Sequence, residues 1–378
     1  MSPYREALRD ARRVVVKIGT NALTHATGRF DHVHFEALCD VLAEVAEQRE
    51  LVVVSSGAIA LGVERLGLPA RPKDIPGKQA CAAVGQSRLM QAWEGGFERR
   101  GRIVAQVLLT HEDVQDRRRY LNARHAFARL LEARAVPVVN ENDTVSVAEI
   151  KFGDNDTLAG LVAGLVEADA LVILSDVDGM FTADPRKDPE AKLVPEVRAV
   201  TGELLALAGG SGSQVGTGGM ATKVRAAAKV AELGIHAVIC SGQRPQALRR
   251  VLAGEEEGTL FCAEENPRRA REAWIAHALR PKGRVKVDDG ARRAVVEQGK
   301  SLLPSGVRAV EGEFQKGDPV DLVTMAGEAF ARGLCAYDAD DLRTIAGHKT
   351  SEIEGLLGFR YLDEAIHRDD LALLEPGR

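Results

Sequence analysis

The sequence has few cysteines and no stretch that resembles a membrane span. Its five cysteines are scattered along 378 residues, and no two of them form a Cys-x-x-Cys pair. We therefore predict reduced thiols, in the core or on the surface of a cytoplasmic protein. No apolar run approaches the length that a bilayer crossing needs, so we expect no membrane association. Residues 1–13 are charged and contain no apolar core, so we also expect no secretory signal.

Positive charge and several familiar catalytic patterns are lacking as well. The net charge of −5 provides no general basic field for nucleic acid. No Ser/His/Asp or Cys/His arrangement is visible, and His32 and His34 are not spaced as metal ligands. His236 lies in an apolar stretch, which favours a core residue over a ligand. No Gly-x-Gly-x-x-Gly follows the first predicted strand, which argues against a nicotinamide dehydrogenase.

What is present is a long alternation of short apolar runs and helical patterns. Apolar runs that predict buried strands occupy six places: 14–16, 51–54, 103–109, 136–139, 171–174 and 235–240. Helical patterns separate them, for example over 33–45, 79–97 and 120–133. This alternation predicts an α/β fold, with a mostly parallel sheet sandwiched by helices.

The alternation stops after about residue 262, where the composition changes. The segment 263–281 is rich in charge and contains Pro267, so we predict a linker or a bridging helix there. Beyond it, short strands separated by Gly, Asp and Pro predict a small β-rich barrel, with helices near 291–298 and 339–345. We therefore divide the chain into an α/β domain over 1–262, a linker over 263–281 and a β-rich domain over 282–378.

Polar side chains or glycines follow most of the predicted strands in the first domain. They are Lys17, Ser56, residues 140–143, Ser175–Asp176 and Ser241–Gly242. The carboxyl ends of parallel strands share one edge of a sheet, where open α/β sheets bind ligands. We therefore expect residues more than two hundred positions apart to line one crevice.

The stretch 216–223, Gly-Thr-Gly-Gly-Met-Ala-Thr-Lys, is the most informative motif. Its glycines allow a close approach of the backbone to a ligand, and a helical pattern begins directly after it. A helix N-terminus favours an anion, whereas its dipole alone disfavours a cation such as Lys223. This conflict points to an anionic ligand, although a mobile surface loop before an ordinary helix is the alternative. The spacing does not match a Walker A loop.

The predicted crevice combines Lys17 and Lys223 with four carboxylates, which are Asp143, Asp154, Asp156 and Asp176. Lysines and loop amides suit phosphates, while carboxylates suit Mg²⁺ or a substrate ammonium. Phosphoryl transfer depends mainly on positioning and on neutralising charge. If the acceptor is itself a carboxylate, the reaction needs no general base, and we find no candidate for one.

Each of these residues also has a purely structural interpretation. Lys17 could be an ordinary lysine at a strand end, although its apolar neighbours predict partial burial and hence a partner. Asp154 and Asn155 could cap the helix that follows them, which is compatible with ligand binding. Asp176 could belong to a common turn.

Together these motifs resemble the glutamate 5-kinase family, whose members combine the amino acid kinase fold with a C-terminal PUA domain. The motifs that carry the resemblance lie at 15–20, 55–59, 140–143, 153–156 and 216–223. The segment 285–362, including Ala346-Gly347-His348, resembles the PUA domain. The resemblance covers nearly the whole chain.

This resemblance implies ATP-dependent phosphorylation of the glutamate γ-carboxylate to an acyl phosphate, with Mg²⁺, as the first step of proline synthesis. It implies that Lys17 and Lys223 neutralise the moving phosphoryl group and that Asp156 holds them in place. Ser56, Asp143 and Asn155 would bind glutamate. ATP would be bound by Lys17, Ser175, Asp176, Thr217, Gly218, Gly219, Met220, Ala221, Thr222 and Lys223.

The resemblance also bears on partners and regulation. It implies a homo-oligomer, either a dimer or a tetramer, and it links the loop 149–154 to feedback inhibition by proline. PUA domains elsewhere bind RNA, but residues 281–378 carry 14 Lys and Arg against 18 Asp and Glu. Binding to the phosphate backbone of nucleic acid is favoured by an excess of positive charge, so we expect a structural or regulatory role for this domain.

Two other functions remain open at this stage. One is another amino acid kinase, with acetylglutamate, aspartate, carbamate or a nucleoside monophosphate as acceptor. The other is an RNA-binding regulator on a kinase-like scaffold, which is disfavoured because both lysines and the acids are present.

Overall fold

A computed structural model describes residues 2–25, 27–146, 155–185, 187–209, 219–263 and 280–374. The chain is divided into two compact units, Met1–Glu265 and Asn266–Arg378.

A sheet of eight described strands forms the centre of the first unit. The strands are β1 (Arg13–Ile18), β2 (Glu50–Ser55), β3 (Val104–Leu109), β4 (Val136–Glu141), β5 (Ala170–Ser175), β6 (Glu196–Val197), β7 (His236–Ser241) and β8 (Thr259–Phe261). Their order is β3-β4-β2-β1-β5-β7-β8-β6, and the β7–β8 pair is antiparallel while the other pairs are parallel. The predicted α/β class with a mostly parallel sheet is confirmed.

The strands form because β-branched and aliphatic residues alternate between two covered faces. In β1, Val14, Val16 and Ile18 pack into the hydrophobic cluster on one face, and Val15 packs into the cluster on the other. The register aligns Ile18 with both Ser55 and Leu174, and Ser175 with Ser241. The carboxyl ends of β1, β2, β5 and β7 therefore lie level at one edge of the sheet.

Helices cover both faces of this sheet. They are α1 (Pro3–Asp10), α2 (Thr20–Leu23), α3 (His32–Gln48), α4 (Ala58–Arg65), α5 (Ile75–Glu98), α6 (His111–Gln115), α7 (Arg117–Glu132), α8 (Asn155–Leu165), α9 (Gly202–Gly209), α10 (Met220–Glu232) and α11 (Pro245–Leu252). The side chains of Asp31, Asp74 and Asp116 cap α3, α5 and α7. The three helices predicted over 33–45, 79–97 and 120–133 are thus confirmed, within a few residues at each end. None of the described helices combines the length and hydrophobicity that crossing a bilayer requires.

The second unit has its own sheet and its own core. Its elements are β9 (Gly283–Val287), α12 (Asp289–Gln298), β10 (Val307–Gly312), β11 (Pro319–Val323), β12 (Ala329–Leu334), α13 (Ala339–Ile345), α14 (Ile353–Leu357) and β13 (Leu371–Leu373). The strand order is β10-β9-β11-β12-β13, with β9 and β11 parallel. Val285, Leu322, Tyr337 and Leu342 are buried in its core. The predicted β-rich character and both predicted helices are confirmed.

Two glycines allow α4 and α5 to touch backbone to backbone. A Cβ added at Gly85 would lie 1.7 Å from the carbonyl oxygen of Ala58, and one at Gly62 would lie 1.9 Å from that of Cys81. Because α4 begins directly after Ser56 and Gly57, this contact fixes the helix that follows the end of β2.

We predict that Gly85→Ala destabilises the protein, because the added methyl group forces α4 and α5 apart. Overpacking of this kind costs about 1–3 kcal/mol or more, which lowers the Tm of a unit of this size by at least ~2 °C. Thermal unfolding followed by circular dichroism measures the effect.

Gly95→Ala in the same helix is the matched control. An added Cβ there meets only the far end of the Arg99 side chain, at 3.7 Å. Alanine is a better helix former than glycine by about 1 kcal/mol, so this variant should be as stable as the parent or more so. Equal effects of the two substitutions would contradict the proposed backbone contact.

Candidate active site

The buried carboxylate of Asp156 lies between the ammonium groups of two lysines. Lys17 Nζ is 2.5 Å from Asp156 Oδ1, and Lys223 Nζ is 3.1 Å from Asp156 Oδ2. Asp156 is 0% exposed, Lys17 4% and Lys223 6%. The oxygen Oδ2 also accepts a hydrogen bond of 3.1 Å from Thr222 Oγ1. Three ionised groups are thus held together away from bulk water, with net positive charge.

Each charged side chain reaches this point from the end of a different element. Lys17 stands near the carboxyl end of β1, in the central part of the sheet. Asp156 lies in the first turn of α8, and Lys223 lies in the first turn of α10, just after Gly219. The ammonium of Lys17 also lies beside Gly19, 3.4 Å from where a Cβ of that residue would be. A Cβ at position 19 would therefore be in van der Waals contact with the lysine ammonium.

The charge of Asp156 is set by opposing effects. Burial raises the pKa of its carboxyl group, but the two lysine ammonium groups outweigh burial and hold that pKa below its ordinary value. Asp156 therefore stays ionised at neutral pH and provides a counter-charge to Lys17 and Lys223. A carboxylate with a lowered pKa stabilises the fold above its unfolded pKa, and this stabilisation is lost as the pH falls through the folded pKa.

A second group of side chains at the same edge is neutral. Asn155 Nδ2 donates to Ser56 Oγ at 2.7 Å and to Asn140 Oδ1 at 3.1 Å, with a longer contact of 3.4 Å to the carbonyl of Ser55. Asn140 Nδ2 in turn donates to Gln86 Oε1 at 2.8 Å. Ser56 follows β2, Asn140 lies in β4 and Asn155 begins α8, so these residues meet at the carboxyl edge of the sheet.

A third group lies at the ends of β5 and β7. Asp176 directly follows β5, and its carboxylate accepts hydrogen bonds from Asn21 Nδ2 at 3.0 Å and from Ser175 Oγ at 3.2 Å. Burial raises the pKa of Asp176, but the hydrogen bonds from Asn21 and Ser175 outweigh it and lower that pKa overall. The backbone N–H of Gly242, which follows β7, donates to the carbonyl of Ser175 at 2.6 Å.

Most of the predicted site residues therefore lie along one edge. Gly219, Met220, Ala221 and Thr222 form the start of α10 next to Lys223. Asp143 is half-buried in the turn that follows β4. Thr217, Gly218 and the loop 149–154, which includes Asp154, lie outside the described residues.

Three residues of this edge were not singled out from the sequence. Asn140 lies within the motif at 140–143 and Asn21 directly follows the motif at 15–20, so their positions in β4 and after β1 were the available signal. Gln86 lies far from any motif. Its only signal is spacing, because Gln79, Gln86 and Trp93 recur every seven residues and so share one face of α5. The ring Nε2 of His34, in α3, makes a 2.7 Å hydrogen bond to the carbonyl of Gly242.

Comparison with known proteins identifies the family of the chain. The model of the amino acid kinase family matches residues 12–241, and the model of the PUA domain matches residues 283–357. Glutamate 5-kinase of Myxococcus xanthus strain DK1622 is 67% identical over 374 residues, which cover 99% of each chain. Glutamate 5-kinase of Anaeromyxobacter dehalogenans strain 2CP-C is 54% identical over 377 residues, again 99% of each chain. That of Trichlorobacter lovleyi is 49% identical over 371 residues, 98% of this chain and 99% of the relative.

The resemblance found in the sequence motifs is thus confirmed by matches that run along almost the entire chain. The chain belongs to the amino acid kinase family and, within it, to the glutamate 5-kinase family.

Proposed function

We propose that this chain transfers the γ-phosphoryl group of ATP to the γ-carboxylate of L-glutamate, which forms L-glutamyl 5-phosphate as the first step of proline biosynthesis. The observation that carries this proposal is the buried cluster of Lys17, Asp156 and Lys223. Two ammonium groups held against one carboxylate where the motifs converge suit a group that carries negative charge on three equatorial oxygens. The relatives named glutamate 5-kinase support the choice of acceptor.

The transfer step follows from these charges. An oxygen of the glutamate γ-carboxylate attacks the γ-phosphorus, a new O–P bond forms, and the bond to the leaving ADP oxygen breaks. Lys17 and Lys223 neutralise the charge on the moving group, while Asp156 keeps both ammonium groups in place. The attacking oxygen is already an anion, so no proton has to be removed and the site needs no general base.

Glutamate would bind on the neutral side of the edge. Both hydrogens of Asn155 Nδ2 are used by Ser56 and Asn140, which leaves the amide oxygen of Asn155 as an acceptor for an ammonium. Ser56 Oγ accepts from Asn155, so its own O–H can donate to a carboxylate. Asp143 is half-buried and lies three residues after Asn140. It would supply the negative charge that pairs with the α-ammonium of glutamate.

ATP would bind on the other side, at the ends of β5 and α10. We propose that Lys17, Ser175, Asp176, Lys223 and residues 217–222 contact the nucleotide, with phosphates at the N-terminus of α10. Mg²⁺ would enter with the phosphates and neutralise charge on their oxygens. In the described part of the chain no three His, Cys, Asp or Glu side chains form a metal cluster.

Domain limits, assembly and regulation complete the proposal. We assign the kinase domain to residues 1–262, the linker to 263–281 and the PUA-like domain to 282–378. Proline would compete with glutamate through the loop 149–154. The protein would be a cytoplasmic dimer or tetramer, and its five free, buried cysteines agree with a reducing compartment.

We predict that Lys17→Ala and Lys223→Ala each lower kcat by about 10²–10³, with a smaller effect on KM. Negative charge on the phosphoryl group is most spread in the transition state, so loss of a positioned ammonium raises the barrier more than it weakens binding. Steady-state ADP release measures both constants, and circular dichroism shows whether the fold is intact.

Two further variants test the specificity of this effect. Lys→Arg at either position should rescue poorly, because a planar fork does not replace a compact point charge in a tight site. Lys187, which is exposed, should tolerate alanine. A near-normal kcat for Lys223→Ala would remove this lysine and the glycine-rich stretch from the proposed mechanism.

We predict that glutamate is phosphorylated far faster than N-acetylglutamate. Acetylation removes the positive charge that Asp143 and the Asn155 oxygen would meet, so the complex loses that interaction. Comparing kcat/KM for glutamate, N-acetylglutamate and aspartate in one coupled assay measures the preference. Equal values for glutamate and N-acetylglutamate would favour another amino acid kinase activity.

We predict that the chain binds RNA neither tightly nor in a strongly salt-dependent way. The acidic excess over residues 281–378 repels a phosphate backbone. Fluorescence anisotropy with a labelled RNA hairpin at about 50 and 200 mM salt tests this. Tight binding that weakens steeply with salt would instead support the regulator hypothesis.

A further inference from the structure

The face of α5 that carries Gln79, Gln86 and Trp93 supports the neutral side of the edge. Gln79 Nε2 contacts the carbonyls of Thr144 and Ser146 at 3.4 Å, just after β4. Trp93 Nε1 donates to Ser55 Oγ at 3.1 Å, at the end of β2. Gln86 lies between them and meets Asn140 in β4. The helix α5 is therefore fastened to the ends of β2 and β4, which Ser56 and Asp143 follow.

Ser56, Asn155, Asn140 and Gln86 are linked into a chain by hydrogen bonds whose donors and acceptors can be assigned. The first donor is Asn155 Nδ2, which faces the backbone carbonyl of Ser55 as well as Ser56 Oγ. A carbonyl oxygen can only accept, so this contact indicates that the nitrogen of Asn155 points this way, but at 3.4 Å it is too long to hold the amide by itself. Asn140 then accepts from Asn155 with its oxygen and donates with its nitrogen, and the last acceptor is the oxygen of Gln86.

The other end of the Gln86 amide shows that its orientation is not locally optimal. Its Nε2 atom is buried and, among the described residues, meets no hydrogen-bond acceptor. A buried donor without a partner costs about 1–3 kcal/mol, and such groups in native proteins call for a functional explanation. Rotating the Gln86 amide by half a turn would place its Nε2, a donor, against Asn140 Nδ2, which is also a donor. Gln86 thus keeps an unsatisfied nitrogen so that its oxygen can face Asn140.

We propose that Gln86 is a positioning residue for the amino-acid substrate. As the last acceptor of the chain, it holds the amides of Asn140 and Asn155 in the orientation in which the Asn155 oxygen faces the substrate ammonium. Without it, Asn140 can turn its oxygen away from Asn155, and Asn155 can present its nitrogen, a donor, to a cation. Gln86 itself does not touch the substrate. This inference rests on the proposed glutamate kinase function and assigns the source of its preference for a free ammonium.

Gln86→Met and Gln86→Glu separate the role of the oxygen from that of side-chain volume. Methionine fills similar space but cannot accept from Asn140, so KM for glutamate should rise about tenfold or more while kcat and KM for ATP change little. Preference for glutamate over N-acetylglutamate should fall by a similar factor. The Gln86→Glu variant keeps an acceptor oxygen opposite Asn140 and removes the unpartnered nitrogen. Its KM for the substrate glutamate should therefore lie within about threefold of the parent value.

Gln91→Met is the matched control, since Gln91 lies on the exposed side of the same helix. If Gln86→Met does not fold, Gln86→Asn provides the same test, because its amide is one methylene too short to reach Asn140. An unchanged KM for glutamate in the first variant, a loss confined to kcat, or equal behaviour of the Met and Glu variants would overturn the inference. A parent protein without activity on glutamate would instead overturn the proposed function.

Discussion

The ion triad of Lys17, Asp156 and Lys223 is the interaction on which the arrangement of this edge depends. An ion buried without a partner costs several kcal/mol, so none of the three is stable in its place without the others. The triad therefore ties together β1, α8 and α10, which are far apart in the sequence. Its net charge is positive, and in the proposed function a phosphoryl group compensates the excess. Stability and catalysis would thus draw on the same three side chains.

The order of the strands separates the two halves of the edge. The neutral chain of Ser56, Asn155, Asn140 and Gln86 lies with β2 and β4, whereas Ser175 and Asp176 lie with β5. The strand β1, which carries Lys17, stands between them. In the proposed reaction, the phosphoryl group would pass from the β5 side to the β2 side over this central lysine. The neutral residues on the β2 side would then select the amino-acid substrate through hydrogen bonds, separately from the charged groups that would bind phosphate.

Much of this could be predicted from local sequence patterns. The runs of Val, Ile and Leu predicted the strands, because a strand covered on both faces has to be apolar at almost every position. The helix bounds shifted by a few residues, since capping residues such as Asp74 lie before the apolar pattern begins. Lys17 was predicted to need a partner because its apolar neighbours indicate partial burial. Lys223 was predicted to face an anion because the dipole at a helix N-terminus disfavours a cation by itself.

The sequence by itself determined the elements, the parallel sheet and the polar strand ends, since these follow from residue type and period. Residue chemistry left four carboxylates as candidates to accompany the lysines, and the family resemblance implied Asp156. Only the tertiary structure shows that its carboxylate contacts both ammonium groups. The sequence held no sign of Gln86 beyond a seven-residue spacing within α5. The physical reason is that periodicity reports which face of its own element a residue occupies. Which residue it meets across the sheet edge depends on strand order and helix packing, which bring distant positions together.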